Sequence, residues 1–216
     1  MRCKQWIFDM DGTLTDSMTV VWEGAPAALL ARYGRTAKAD LHETLLTMGM
    51  DDGAAYLIRE YDLPLKLEDY MGVMRQVIAQ LYETVELKPG VRELLARLKA
   101  EGARMCICSN TWSDQCRTVL TRLGIDDYFE FYVEAQGEKS KRHPEVFFET
   151  LARLGGSDPG CCAVCEDSLY AARTAHKAGF SVIGIADAAS RADEPALRSV
   201  SDQFLTSWQD LDCGKV

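Results

Sequence analysis

The sequence predicts an α/β fold: a Rossmann-like, mostly parallel sheet core with an inserted all-helical cap domain. Three observations predict it. Short apolar runs recur along the chain, and most end in a polar residue or pair. Stretches with apolar residues at helical offsets lie between them. One block of about 70 residues, 17–86, shows helical patterns and no convincing strand. Strands and helices that alternate at this length imply a parallel sheet covered on both faces.

Taken in order, Trp6-Ile7-Phe8 is the first strand and stops at Asp9. The insert follows, with helices expected near 19–33, 40–48, 53–61 and 67–83. Pro26 breaks or kinks the first of these unless it falls in a first turn. The core is expected at 1–16 and 87–216 and the cap at 17–86. Beyond the insert, Pro89 announces a helix over Val91–Ala100, with Val91, Leu94, Leu95 and Leu98 on one face and Gly102 at its end. The second strand is Arg104–Cys108, ending at Ser109-Asn110. A helix over 115–123 stops at Gly124, and aromatic-rich Tyr128–Val133 holds a third strand. A helix over 144–154 carries Phe147, Phe148, Leu151 and Leu154 and stops at Gly155. Cys161–Cys165 is the fourth strand, ending at Glu166-Asp167, and an alanine-rich helix over 169–178 stops at Gly179. Ser181–Ala186 and Gln203–Leu205 complete the set. Ligands of such sheets bind beyond the carboxyl ends of the strands. Separate strands would therefore aim Asp9, Ser109-Asn110 and Glu166-Asp167 into one crevice.

The 216 residues suffice for a full core, and 47% apolar with 26% charged is ordinary for a soluble globular protein. A net charge of -9 argues against a nucleic-acid partner, which would call for a basic face. It leaves room for a phosphorylated substrate, because a site's local charge can oppose the global one. No run approaches the roughly 18 apolar residues of a membrane helix. The start, Met1-Arg2-Cys3-Lys4-Gln5-Trp6, is charged, but its apolar run is only Trp6-Ile7-Phe8, where a secretory signal needs roughly 7–15 residues. The expectation is a cytoplasmic protein with no membrane partner, and the sequence assigns no oligomeric state. The eight cysteines would then be free thiols. Cys162 and Cys165 have a metal-like spacing, but a zinc site wants a second pair or nearby histidines. With His42, His143 and His176 the only histidines, the pair reads as buried strand cysteines.

The chemistry concentrates in Phe8-Asp9-Met10-Asp11-Gly12-Thr13-Leu14-Thr15-Asp16-Ser17. Two carboxylates at i and i+2, followed by glycine, make a tight turn after a strand. One carboxylate can attack phosphorus and form an acyl phosphate, splitting the reaction in two. The second can protonate the leaving oxygen and later accept a proton from the attacking water. Gly12 lets backbone approach a phosphate closely.

This run resembles the first motif of the haloacid dehalogenase-like hydrolase superfamily, in its phosphatase and phosphomutase branch. Three further motifs agree in order. Ile107-Cys108-Ser109-Asn110-Thr111 is similar to the second, an apolar strand ending in Ser or Thr. Lys141-Arg142-His143-Pro144-Glu145-Val146-Phe147 is similar to the third, with Arg142 where the family usually has proline. Val164-Cys165-Glu166-Asp167-Ser168 is similar to the fourth. The resemblance runs from about residue 5 to Leu211. It implies Asp9 as nucleophile and Asp11 as general acid/base. It implies Mg²⁺ held by the carboxylates of Asp9 and Asp167 and the carbonyl of Asp11, with Glu166 a further or alternative ligand; oxygen donors suit that cation. Ser109 would hydrogen-bond phosphoryl oxygens, Lys141 would offset charge, and the loop amides at Met10 and Asp11, with Gly12, would complete the cradle. Asn110 would help to hold that loop and Thr13 would orient Asp11. Lys139 could do the work of Lys141, but the spacing to Pro144 and Phe147 selects Lys141.

Within the superfamily, Asp11 points to an alkoxide leaving group, hence a phosphate monoester of a small metabolite. The helical insert between the first and second motifs resembles the small cap of the phosphoglycolate phosphatase and β-phosphoglucomutase group. β-Phosphoglucomutases place a histidine early in the cap. Thr19-Val20-Val21-Trp22 has none, which favours hydrolysis over sugar phosphomutase activity, the alternative, and over a non-catalytic phosphate-binding module.

Overall fold

The computed structural model describes residues 3–215. Met1 and Arg2, part of the charged start noted above, lie outside them. Contacts divide the chain into two compact units. One comprises the chain up to Asp16 and from Glu86 onward; the other is Ser17–Val85.

The first unit holds a six-stranded parallel sheet. Its strands are β1 (Gln5–Phe8), β2 (Arg104–Ser109), β3 (Tyr132–Glu134), β4 (Cys162–Glu166), β5 (Ser181–Ile185) and β6 (Gln203–Leu205), in the order β3-β2-β1-β4-β5-β6. Central β1 pairs with β2 on one side and β4 on the other, with Ile7 beside both Cys106 and Val164. Alternation sends Ile7, Cys106, Cys108, Cys162, Val164 and Val182 to one buried cluster. The helices α7 (Glu145–Arg153), α8 (Leu169–Lys177) and α9 (Glu194–Val200) contribute Phe147, Leu151, Ala171, Ala172, Ala175 and Leu197 to it. Trp6 and Phe8 point to the other face, where Phe8 meets Phe129 and Trp208 edge-on. Strands buried on both faces read as continuous apolar runs rather than alternating ones, which is why they were visible in the sequence. The cysteines at 162 and 165 are buried β4 residues, and all eight are free thiols.

Helices α5 (Val91–Ala100) and α6 (Ser113–Arg122) complete this unit. The third strand starts later than expected, at Tyr132, because Asp126–Tyr128 forms a 3₁₀ turn and parallel pairing begins at Ile107 with Tyr132. Helix α9, with Pro195 in its first turn, carried too short a pattern to be expected.

The second unit is helical throughout: a π-helical turn Met18–Glu23, then α1 (Ala25–Arg32), α2 (Leu41–Leu46), α3 (Met50–Glu60) and α4 (Leu67–Tyr82). The helix expected over 19–33 is two pieces, and Pro26 lies in the first turn of the second, where its missing N–H costs nothing. Among the described residues, no helix is long and apolar enough to cross a membrane.

The two crossings of the chain between units run side by side. Asp16 N donates to Glu86 O (3.0 Å), Lys88 N to Leu14 O (2.9 Å), and Thr15 bridges Leu87 in antiparallel fashion.

Candidate active site

Strand order reverses at β1, with β2 to one side and β4 to the other, and the crevice of a doubly wound sheet opens at such a switch point. The first-motif loop is wound there by its own backbone. Asp9 N donates to Cys165 O, tying the loop to β4, and Met10 O gathers the amides of Thr13, Leu14 and Thr15 together with the Thr15 hydroxyl. Gly12 has φ +72°, a left-handed conformation that a side chain would strain. Trp208 braces the loop from the far end of the chain, donating Nε1–H to Thr13 O at 2.9 Å.

The structure brings Asp9, Glu166, Asp167 and Lys141 together. Lys141 is only 2% exposed and donates to Asp9 Oδ1 at 2.5 Å and Glu166 Oε1 at 2.6 Å. Lys139 is exposed. Glu166 is the last residue of β4 rather than lying past it, and Ser109 likewise ends β2. The N-cap of α8 is Ser168, so Glu166 and Asp167 face the site rather than cap the helix. Asp11 lies two residues beyond Asp9, buried, with Thr111 Oγ1 donating to its Oδ2 at 2.6 Å. Thr13, expected to orient Asp11, donates its hydroxyl proton to Asp167 Oδ1 at 3.2 Å. The buried Ser109 Oγ accepts from Thr111 N at 3.1 Å. Asn110 is exposed; its side chain donates to Tyr170 OH at 2.8 Å and its carbonyl accepts from Gln136.

Four residues missed in the sequence thus join the site: Thr111, Tyr170, Ser190, whose Oγ donates to Asp167 Oδ2 at 3.3 Å, and Trp208. Thr111 carried a legible signal, a second hydroxyl two residues after the strand-end serine. Ser190 and Trp208 lie too far along the chain for any spacing to reveal them, and Tyr170 gave no signal because its partner Asn110 is 60 positions away.

The electrostatics are those of a buried acidic cluster short of positive charge. Burial raises the Asp9 carboxyl well above its ordinary value; Lys141 opposes this, while Glu166, Asp167 and Asp11 add to it. Burial, Glu166 and Asp187 push Asp167 up to about 7. Glu166 is raised by burial against the pull of Lys141. Burial alone would lower Lys141, but the Asp9 and Glu166 carboxylates outweigh it and hold it charged.

The cluster fits a hard divalent cation. Oxygens of Asp9, Glu166 and Asp167 lie within 4.8 Å of one another, and an all-carboxylate set suits Mg²⁺ chemistry. Glu166 Oε2 is buried without a hydrogen-bond partner among the described residues. A bound cation would also supply the positive charge that Lys141 alone cannot.

The family model described as haloacid dehalogenase-like hydrolase matches residues 6–185. Hexitol phosphatase B of Escherichia coli K12 is 33% identical over 167 residues, covering 76% of this chain and 74% of its own. Phosphoglycolate phosphatase of Nitrosococcus oceani is 26% identical over 191 residues, covering 82% of this chain and 81% of its own. Among solved structures, CbbY from Rhodobacter sphaeroides in complex with phosphate has a TM-score of 0.78 at 23% identity, covering 99% of this chain and 98% of that one; this likeness is one of fold.

Proposed function

We infer the reaction from one premise: the chain belongs to the haloacid dehalogenase-like hydrolase family. Several curated relatives, hexitol phosphatase B and phosphoglycolate phosphatase among them, are phosphatases, and the site described above has the groups such a reaction needs. We propose that this protein hydrolyses a small phosphate monoester with Asp9 as nucleophile and Mg²⁺ as cofactor. The observation that carries the reading is the convergence of Asp9, Lys141, Glu166 and Asp167 at the β1–β4 switch point, with Asp11 two residues on in the same loop.

The proposed sequence has two steps. An Asp9 carboxylate oxygen bonds to phosphorus while the ester P–O bond breaks, and Asp11 gives its proton to the departing oxygen. Water then bonds to phosphorus, Asp11 takes back a proton from it, and the bond between phosphorus and Asp9 breaks to release phosphate. Thr111 holds the Asp11 carboxyl through both steps. Lys141 keeps Asp9 oriented and partly offsets the approaching dianion, and Ser109 donates to phosphoryl oxygens. Mg²⁺, held by Asp9, Asp167 and the Asp11 carbonyl with Glu166 near, would supply the charge that lets two anions meet. We read Ser17–Val85 as the cap domain of this enzyme, and place the protein in the cytoplasm, where its eight free thiols suit a reducing medium.

The test is phosphate release from a panel of small phosphomonoesters, hexitol phosphates and phosphoglycolate among them. Release should require Mg²⁺ and stop with EDTA, and Asp9→Asn should bring it to background. A well-folded protein that releases phosphate from no ester would overturn the reading.

A further inference from the structure

Lys88 belongs to none of the four motifs, yet it forms a nearly buried ion pair. Its side chain is 11% exposed and that of its partner Asp187 2%. Nζ donates to Asp187 Oδ2 at 2.8 Å and to Ala186 O at 2.7 Å. Taking two charges out of water costs about as much as their attraction returns, so such a pair is weak evidence for stability. Its position suggests another reason for it. Asp187 shapes the turn after β5: its Oδ1 accepts from Ala189 N at 2.9 Å and its carbonyl from Ser190 N at 3.2 Å. That turn presents the Ser190 hydroxyl to Asp167 Oδ2. The backbone of Lys88 meanwhile donates to Leu14 O, next to Thr13, whose hydroxyl reaches Asp167 Oδ1. Both oxygens of Asp167 thus receive a hydroxyl from a segment that Lys88 holds.

We propose that Lys88 is a positioning residue for Asp167: through Asp187 its side chain fixes the turn that presents Ser190 to this carboxylate and so orients it for a divalent cation, while its main-chain N–H ties in the Thr13 segment. The proposal rests on the reading of Asp167 as a cation ligand. Removing a direct hydrogen-bond partner of a metal ligand, as Thr13 and Ser190 are of Asp167, commonly costs about 10–100-fold in affinity, and loosening the turn that holds Ser190 falls at the low end.

The test is calorimetric Mg²⁺ binding to the intact protein, alongside the Mg²⁺ concentration for half-maximal phosphate release. Lys88→Met should weaken binding roughly tenfold and raise the half-saturating concentration to match, and Lys88→Arg should recover most of the loss. Ser190→Ala, which leaves the ion pair intact, should weaken binding in the same direction, and no loss there overturns the proposal even if Lys88→Met does not fold. Asp167→Asn separates the two claims. If the native protein binds no Mg²⁺, or Asp167→Asn binds as tightly as native, the cation-site reading fails. If Asp167→Asn loses binding while folded Lys88→Met, or Ser190→Ala in its place, stays within twofold of native, the positioning role fails and the pair is only structural.

Discussion

Thr111 illustrates what a single side chain decides. Its hydroxyl, 2.6 Å from Asp11 Oδ2, is a short bond to a group that exchanges a proton in the proposed reaction. Bonds of this kind to charged groups contribute about 1.5–3 kcal/mol. Thr111→Val keeps the shape and removes the bond, so kcat should fall at least about tenfold with the fold intact. Activity within twofold of native in that variant would remove Thr111 from the account. At this scale the sequence was legible in part. Asp9, Asp11, Ser109 and Glu166-Asp167 could be located because each follows or ends a short apolar run. The partners of these groups could not, because Thr13 meets Asp167 across 154 positions and Trp208 meets Thr13 across 195. The burial of Lys141, which separates it from exposed Lys139, was invisible for the same reason.

At the scale of elements, strands buried on both faces announced themselves, and the departures have local causes. The helix expected near 19–33 is broken at Gly24, and β3 is displaced by the 3₁₀ turn at Asp126. Gly90, the N-cap of α5, shows how tightly one junction is set. It has φ +86°, and a Cβ there would lie 2.7 Å from Gln209 N and 3.1 Å from Trp208 C. Both are backbone atoms, one of Trp208, which braces the first-motif loop, and one of the residue after it. Gly90→Ala should therefore cost more than about 1 kcal/mol of stability in denaturant unfolding, through backbone strain and the clash together. Because Trp208 would shift, its activity should fall as well. A variant as stable as native would show that this junction yields without cost.

For the whole molecule, the acidic cluster ties folding to pH and, through the proposed cofactor, to a cation. Without divalent cations, Asp9, Glu166 and Asp167 all titrate above the ordinary carboxylate range, Asp167 at about 7. A raised carboxyl binds its proton more tightly folded than unfolded, so its contribution to stability falls as pH climbs from the usual carboxylate range toward that value. The melting temperature in EDTA should drop between about pH 5 and about pH 7.5, and Mg²⁺ should restore more at the higher pH, where it no longer competes with protons. A melting temperature in EDTA that rises across this range would contradict the charge balance described. The central claim, that Asp9 is the nucleophile, is tested most directly by rapid acid quench of a single turnover with a radiolabelled monoester from the panel. The account predicts a phosphoryl group on the Asp9 peptide that hydroxylamine removes, leaving a hydroxamate on Asp9, and no label in Asp9→Asn. Undiminished turnover by Asp9→Asn, or a label on any other residue, would contradict it.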